Sequence, residues 1–162
     1  MSEPDIEEPG EAAGGPETLL VFRLAGEAFA LPVLCVHEII DPIPVAQVPH
    51  APEWAPGLVN VRGAVIPLVD LRRRLRMPPA EPGAEARMIV VETEIMNAPA
   101  RLALAADAVE EVIDAAPEAL RPLPELGARW PEAFLRGVAR RAEGVVVLLN
   151  AEALFRPEPI AA

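Results

Sequence analysis

The sequence repeats itself once, and this repeat constrains the fold more than any other feature of the chain. At one offset, VHEIID (36–41) matches VEEVID (109–114), Phe29 matches Leu102, and Leu31 matches Leu104. At an offset seven residues longer, Trp54 matches Phe134, Gly57 matches Gly137, 65–69 matches 145–149, Asp70 matches Asn150, and Leu75 matches Phe155. Such a repeat predicts two copies of one supersecondary plan that bury a shared core.

Each copy has the pattern of short strands followed by a helical turn. Apolar runs flank Ala25-Gly26 and Arg62-Gly63, where glycine accepts the positive φ of a tight hairpin turn. Pro67 predicts an edge or bulged position, because proline cannot donate to a central ladder. Asp70 and its counterpart Asn150 are preferred N-caps, so we expect each copy to end in one helical turn.

Five short strands per copy are enough for a small barrel but not for a large open sheet. The sequence therefore predicts an all-β fold of two five-stranded barrels related by a pseudo-two-fold axis. We expect subdomain one at about 18–76, a linker at 77–86 and subdomain two at about 87–156. Because neither copy is large enough to be stable alone, apolar faces and terminal helical turns should pack between them.

Charge is distributed unevenly along this acidic chain. The net charge is −11, and residues 1–17 carry six acidic and no basic residues, so we expect a disordered acidic tail there and a short C-terminal tail at 157–162. Every basic residue is arginine, which excludes lysine chemistry. The densest basic segment, RRRLR (72–76), is expected to be a solvated helix face. Binding of a phosphate from a partner or a membrane surface is the alternative.

Candidates for catalysis or metal binding are scarce. The chain has one serine, Ser2, no tyrosine, and a single cysteine, Cys35, within an apolar run. His37 and His50 are the only histidines and have no cysteine partners, so we predict no metal, no cofactor and no enzymatic activity. One cysteine cannot form a disulfide within the chain, which favours the cytoplasm. No signal peptide or membrane span is expected.

Residues 18–156 resemble the CheW family of chemotaxis coupling proteins. The match is carried by LVFRLAGEAFALPVLCVHEI, GLVNVRGAVIPLVDLRRRL, ADAVEEVID and LRGVARRAEGVVVLLNAEALF. Its most specific part is the pattern NxRGxxxPxxDL, formed by Asn60, Arg62, Gly63, Pro67, Asp70 and Leu71. The resemblance implies a non-enzymatic adaptor of two SH3-like β-barrels. Such an adaptor bridges the cytoplasmic tips of chemoreceptors to the regulatory domain of a CheA-type histidine kinase at membrane-associated receptor arrays.

The resemblance also implies that the charged pair Glu38 and Arg62 is functionally sensitive and that the receptor tip docks in an apolar groove between the barrels. An opposite-charge pair on an apolar platform fixes register at an interface. We expect Val33 and Val36 to form the apolar floor beside the pair, with a place in the core as the alternative for each, and Gly57 completes the partner-binding set. The remaining motif residues, Asn60, Gly63, Pro67, Asp70 and Asn150, are expected to be structural.

Two other classes of function stay open at this point. A small-molecule or peptide-binding β-barrel would need a deep apolar pocket with convergent polar groups. A nucleic-acid-binding barrel is disfavoured by the acidic charge and by the small number of aromatic residues, four Phe and two Trp. The sequence does not indicate which receptor array or signalling pathway is served.

Overall fold

The computed structural model describes residues 17–115 and 130–156. The expectations for the acidic tail up to residue 16 and for the C-terminal tail at 157–162 concern residues outside these ranges. Glu17, which we assigned to the tail, is instead the first residue of a strand.

Strands dominate the described ranges, in agreement with the predicted all-β class. They are β1 (Glu17–Leu24), β2 (Glu27–Pro32), β3 (Val36–Ile40), β4 (Ala46–Gln47), β5 (Gly57–Val61), β6 (Ala64–Val69), β7 (Arg87–Ile95), β8 (Ala98–Ala106), β9 (Ala108–Ala115), β10 (Leu135–Arg141) and β11 (Gly144–Leu149). The helical elements are short: α1 (Leu71–Arg74), α2 (Ala151–Phe155), and 3-10 turns at Val33–Cys35 and Glu132–Phe134.

The strands form two sheets, and each sheet takes strands from both copies of the repeat. One sheet has the order β10-β11-β2-β1-β9, and the other has the order β3-β7-β8-β6-β5-β4. The opening hairpin of the first copy, β1-β2, thus lies among strands of the second copy. The opening hairpin of the second copy, β7-β8, lies among strands of the first copy. The linker at 77–86 therefore separates the sequence copies but does not separate the sheets.

The register shows that this exchange is symmetric. The parallel pair of β2 and β11 aligns Ala30 with Leu148, and the parallel pair of β8 and β6 aligns Ala103 with Leu68. These two pairs are counterparts under the offsets of the repeat. Replacing each strand by its counterpart converts one sheet order into the other, apart from β4, a two-residue strand within the proline-rich connection. Leaving out β4, each sheet therefore has five strands, the number predicted for one barrel, but takes them from both copies.

Three hairpin turns use two central residues with positive φ. These are Ala25-Gly26 (54° and 80°), Arg62-Gly63 (53° and 89°) and Met96-Asn97 (53° and 66°). Turns of this kind match the right-handed twist of the flanking strands. The turns expected at Ala25-Gly26 and Arg62-Gly63 are thereby confirmed.

The edge or bulged position expected for Pro67 is wrong, because β6 is a central strand and pairs with β5 without a register shift. Pro67 pairs with Leu58 of β5 on one side. On the other side, pairing with β8 begins only at Leu68. The ring of Pro67 therefore lies one residue before the second ladder starts, where no donor to β8 is needed.

The main core is shared by both copies and includes Phe22, Phe29, Leu104 and Phe155. This sharing follows from the exchanged hairpins, since each sheet already joins residues that are distant in sequence. The expected packing of apolar faces between the copies is therefore present.

Arg74 corrects the expectation that RRRLR is a wholly solvated helix face. It is 5% exposed, and its guanidinium lies 4.0 Å from the ring centroid of Trp54 and 4.9 Å from that of Phe134. It also donates to the carbonyl oxygens of Leu154 at 2.9 Å and Arg156 at 2.6 Å. Trp54 and Phe134 are repeat counterparts, so Arg74 lies where the two copies meet.

Candidate partner-binding site

The β5-β6 turn projects Arg62 away from the sheet. The side-chain Oδ1 of Asn60 accepts a hydrogen bond from the backbone N–H of Gly63 at 2.8 Å. This contact holds the turn closed, while the positive φ of Gly63 completes it. The Arg62 side chain is 74% exposed as a result. Asn60 and Gly63 thus position the arginine between them in the motif.

Arg62 forms an ion pair with Glu38, which comes from the edge strand β3. Nη2 of Arg62 donates to Oε1 of Glu38 at 2.8 Å, and Nε donates to the same oxygen at 3.2 Å. The hydrogen bond from Arg62 lowers the pKa of Glu38 below its usual 4.5. The same contact raises the pKa of Arg62. The structure therefore brings together the two charged residues named from the sequence.

The ion pair belongs to a longer row of charges. His37 Nε2 lies 3.9 Å from Oε2 of Glu38, and His37 Nδ1 lies 3.7 Å from Oε2 of Glu92. Arg101 donates from Nη2 to that Glu92 oxygen at 2.6 Å and lowers the pKa of Glu92. An open cleft of about 270 Å³ beside this row is lined by His37, Glu38, Val61, Arg62, Ala64, Ile66 and Arg101.

Sequence reasoning missed Glu92 and Arg101. They face each other across β7 and β8, in the register that the Met96-Asn97 turn sets. A prediction of the Met96-Asn97 turn from the sequence would have paired Glu92 with Arg101. It would not have placed them beside His37, because that contact depends on β3 pairing with β7.

The other residues expected to bind partners lie outside this cleft. Val33, in the first 3-10 turn, and Val36, at the start of β3, are partly buried against the main core. Gly57 is buried at the start of β5, where an added Cβ would lie 2.6 Å from the carbonyl oxygen of Ala46. Gly57 therefore permits the close approach of β4 to β5.

Exposed apolar side chains lie close in the sequence to Glu38 and Arg62. Leu34 is 98% exposed between Val33 and Cys35, Ile39 follows Glu38, and Val65 lies two residues after the Arg62-Gly63 turn. Apolar groups among polar ones are typical of interaction surfaces. No sequence pattern indicates the exposure of Leu34, because a three-residue 3-10 turn has no apolar alternation.

Asp70 and Asn150 cap equivalent helices. Asp70 Oδ1 accepts from the N–H of Arg73 at 3.2 Å, and Asn150 Oδ1 accepts from the N–H of Ala153 at 3.1 Å. The backbone N–H of each cap also donates to an aromatic residue's carbonyl, Trp54 for Asp70 and Phe134 for Asn150. The side chains at both positions thus have the capping role expected from the sequence.

The second copy has an arginine–glutamate cluster that contains the repeat counterpart of Glu38, although Ala142 occupies the position of Arg62. Glu111, the repeat counterpart of Glu38, accepts from Arg141 at 2.6 Å, and Glu110 accepts from Arg141 at 2.7 Å. Arg141 is only 9% exposed and links β10 to β9, the two outer strands of the five-stranded sheet. The covered Arg141 thus connects the outer strands through two exposed glutamates, whereas Arg62 on the other sheet is itself exposed.

Within residues 17–115 and 130–156, no group of three or more His, Cys, Asp or Glu side chains could hold a metal ion. Within the same ranges, no helix has the length and apolarity needed to cross a bilayer.

Known proteins resemble this chain in both sequence and fold. The family model of the CheW-like domain matches residues 18–158. The probable chemotaxis protein CheW of Rhizobium etli is 32% identical over 87% of this chain and 88% of its own. The chemotaxis protein CheW of Rhizobium meliloti is 31% identical over 90% of both chains. The crystal structure of the scaffolding protein TtCheW from Thermoanaerobacter tengcongensis superposes with a TM-score of 0.75 at 30% identity, covering 86% of this chain and 92% of that one. The chain therefore belongs to the CheW family of chemotaxis scaffold and coupling proteins, which are not enzymes.

Proposed function

We propose that this protein couples the cytoplasmic tips of chemoreceptors to the regulatory domain of a CheA-type histidine kinase. The CheW family couples chemoreceptors to CheA. The observation that carries the proposal for this chain is the exposed Glu38–Arg62 ion pair at the edge strand β3. The protein acts in the cytoplasm and is recruited to membrane-associated receptor arrays.

The contrast between the two ion pairs supports a binding role for the exposed one. Nη1 and Nη2 of Arg141 both donate to this protein's own carboxylates, those of Glu111 and Glu110. Arg62 is largely solvated and can turn towards a partner carboxylate, while Glu38 can accept from a partner cation. Charges at the rim of an interface fix register and exclude wrong partners. The adjacent apolar side chains of Ile39 and Val65 add contact area.

Val33, Val36 and Gly57, the other predicted site residues, support this surface from inside the protein. Val33 and Val36 pack on the core on either side of Leu34 and Cys35, so they hold the turn that exposes Leu34. Gly57 seats β5 against β4 and thereby sets the base of the hairpin that carries Arg62. We assign these three residues a supporting part in partner binding.

The cleft beside Glu38 supports an adaptor over a small-molecule-binding barrel. Its volume is about 270 Å³, and charged side chains form much of its lining. Small-molecule sites are typically larger, at roughly 300–1,000 Å³, and mostly apolar. A charged, shallow surface is better suited to a protein partner.

Coupling is tested by asking whether the protein joins two partners that do not otherwise associate. Purified receptor tips, the kinase regulatory domain and this protein are mixed pairwise and all together, and complexes are separated by size. We expect a ternary complex only when this protein is present. Recovery of both binary complexes without a ternary one would show that the two partners compete for one surface, which contradicts a bridge.

A further inference from the structure

The cleft beside Glu38 adjoins a second cleft on the β7-β8 hairpin. The second cleft is also open, has a volume of about 360 Å³, and is lined by Glu92, Thr93, Pro99, Ala100 and Arg101. Arg101 lines the cleft beside Glu38 as well, so the two clefts meet at this residue. We call them together the furrow, which extends from the β5-β6 turn past β3 to the β7-β8 hairpin.

The second cleft lies on the longer of the two opening hairpins. Four residue pairs lie between Leu102 and the Met96-Asn97 turn of β7-β8. Only two pairs lie between Phe29, the repeat counterpart of Leu102, and the Ala25-Gly26 turn of β1-β2. The first copy therefore forms its hairpin without this extension, which contributes Pro99 to the cleft.

Charges of opposite sign alternate along the furrow. Arg62 pairs with Glu38 on one side, Arg101 pairs with Glu92 on the other, and His37 lies between the two carboxylates. Because β7 separates β3 from β8, the strands that carry Glu38 and Arg101 are roughly 10 Å apart. The side chains of Glu92 and Arg101 are 52% and 43% exposed. Exposed pairs contribute little to folding, so a partner's charges can replace either member at little cost.

We propose that the partner that contacts the Glu38–Arg62 pair also contacts the Glu92–Arg101 pair, through a protein segment that carries a cation between two carboxylates. This recognition depends on the proposed function, since it concerns the same partner and the same surface. The partner's carboxylates bind Arg62 and Arg101, and its cation lies against Glu38 and Glu92. A segment with the reverse order of charges meets like charges at each position and is excluded. The Glu92–Arg101 pair is therefore a determinant of partner specificity.

The test reverses the Glu92–Arg101 pair without removing it. In Glu92→Arg with Arg101→Glu, an ion pair across β7 and β8 can still form and the net charge is unchanged, but a partner meets the opposite charges. Receptor tips and the kinase regulatory domain are titrated calorimetrically, and Arg62→Ala identifies the partner that contacts the Glu38–Arg62 pair. We expect the reversed variant to bind that partner about thirtyfold or more weakly than the parent protein does. A pair that served folding alone would leave this affinity unchanged.

The matched control reverses another ion pair next to the same two strands. Asp41 follows β3, Arg87 begins β7, and their side chains lie 3.7 Å apart at the opposite end of the β3-β7 ladder. Asp41→Arg with Arg87→Asp should bind as the parent does. Thermal melts check that each variant is folded. If the reversed variant does not fold, Glu92→Gln with Arg101→Gln replaces it, with an expected loss of about tenfold.

The possible failures are distinguishable. A loss of binding in Arg62→Ala but not in the reversed variant would overturn this inference and leave the proposed function intact. An equal loss in the control would also overturn it, since the position of the reversed pair would then not matter. Normal binding by Arg62→Ala would overturn it too, because both pairs are assigned to one partner. A parent protein that binds neither partner would overturn the inference and the proposed function together.

Discussion

At the scale of single residues, the roles of the arginines depend on where each guanidinium lies. Arg62 is exposed and pairs with one carboxylate, Arg141 is nearly buried between two, and Arg74 is buried against aromatic rings and carbonyl oxygens. Exposed pairs contribute about 0–1 kcal/mol to stability, whereas breaking a buried charged contact costs several times more. Arg62 is therefore free to serve binding, while Arg74 and Arg141 serve folding.

Arg74→Ala is expected to destabilise the fold by about 2–4 kcal/mol, because it removes the donor to the carbonyls of Leu154 and Arg156 and the cation packed on two aromatic rings. Arg74→Lys should recover only part of this loss, since an ammonium lacks the planar donor array of a guanidinium. Urea unfolding measures both variants. Arg76→Ala, an exposed change on the same segment, is the control and should stay within about 0.5 kcal/mol of the parent. An equal loss in the control would show that net charge, and not the buried contact, matters.

The stability that the Glu38–Arg62 pair contributes should decrease as the pH is lowered. Because the pKa of Glu38 is lower in the folded protein than its usual 4.5, the pair contributes stability above about 4.5 and loses it as the pH falls through the folded value. NMR titration of the Glu38 carboxyl should show this low pKa. In Arg62→Ala the pKa should return towards 4.5. An unchanged titration in that variant would mean that Arg62 does not contact Glu38 in solution.

At the scale of elements, the local patterns were predictable and the strand exchange was not. Residue type alone indicated the turns at Ala25-Gly26 and Arg62-Gly63 and the caps Asp70 and Asn150, because φ preference and capping act over a few residues. The parallel pairing of β2 with β11 joins residues more than one hundred positions apart. Both copies offer similar apolar strands, so the sequence does not distinguish pairing within a copy from pairing between copies.

Cutting the chain in the linker near Pro82 should give two fragments that do not fold separately but fold when mixed. Each sheet needs a hairpin from the other fragment: β1-β2 pairs with β11 and β9, and β7-β8 pairs with β6 and β3. Circular dichroism and amide NMR of each fragment, alone and mixed, measure this. The intact chain is the control. A cooperative unfolding transition from either fragment alone would mean that pairing within a copy can replace the exchange.

At the scale of the whole molecule, the sequence motif located the centre of the candidate site but not its extent. Glu38 and Arg62 were identified because they belong to a specific pattern, and the structure places them 2.8 Å apart. Leu34, Glu92 and Arg101 escaped notice because their placement depends on strand register and on a turn between sheets. Val33 and Val36, expected beside the pair from their positions in the sequence, are partly buried against the core, and Gly57 is packed closely against β4.

The most direct test of the account is the binding of charge-altered variants to the receptor tip and to the kinase regulatory domain, measured by isothermal titration with thermal melts alongside. Arg62→Ala and Glu38→Ala should stay folded. Their binding free energy for at least one partner should weaken by about 2–5 kcal/mol, some thirtyfold or more in affinity. Arg62→Glu should bind more weakly than Arg62→Ala. Arg140→Ala, an exposed arginine outside the site, is the matched control and should bind normally. Folded Arg62 and Glu38 variants that bind both partners as tightly as the parent would contradict the account.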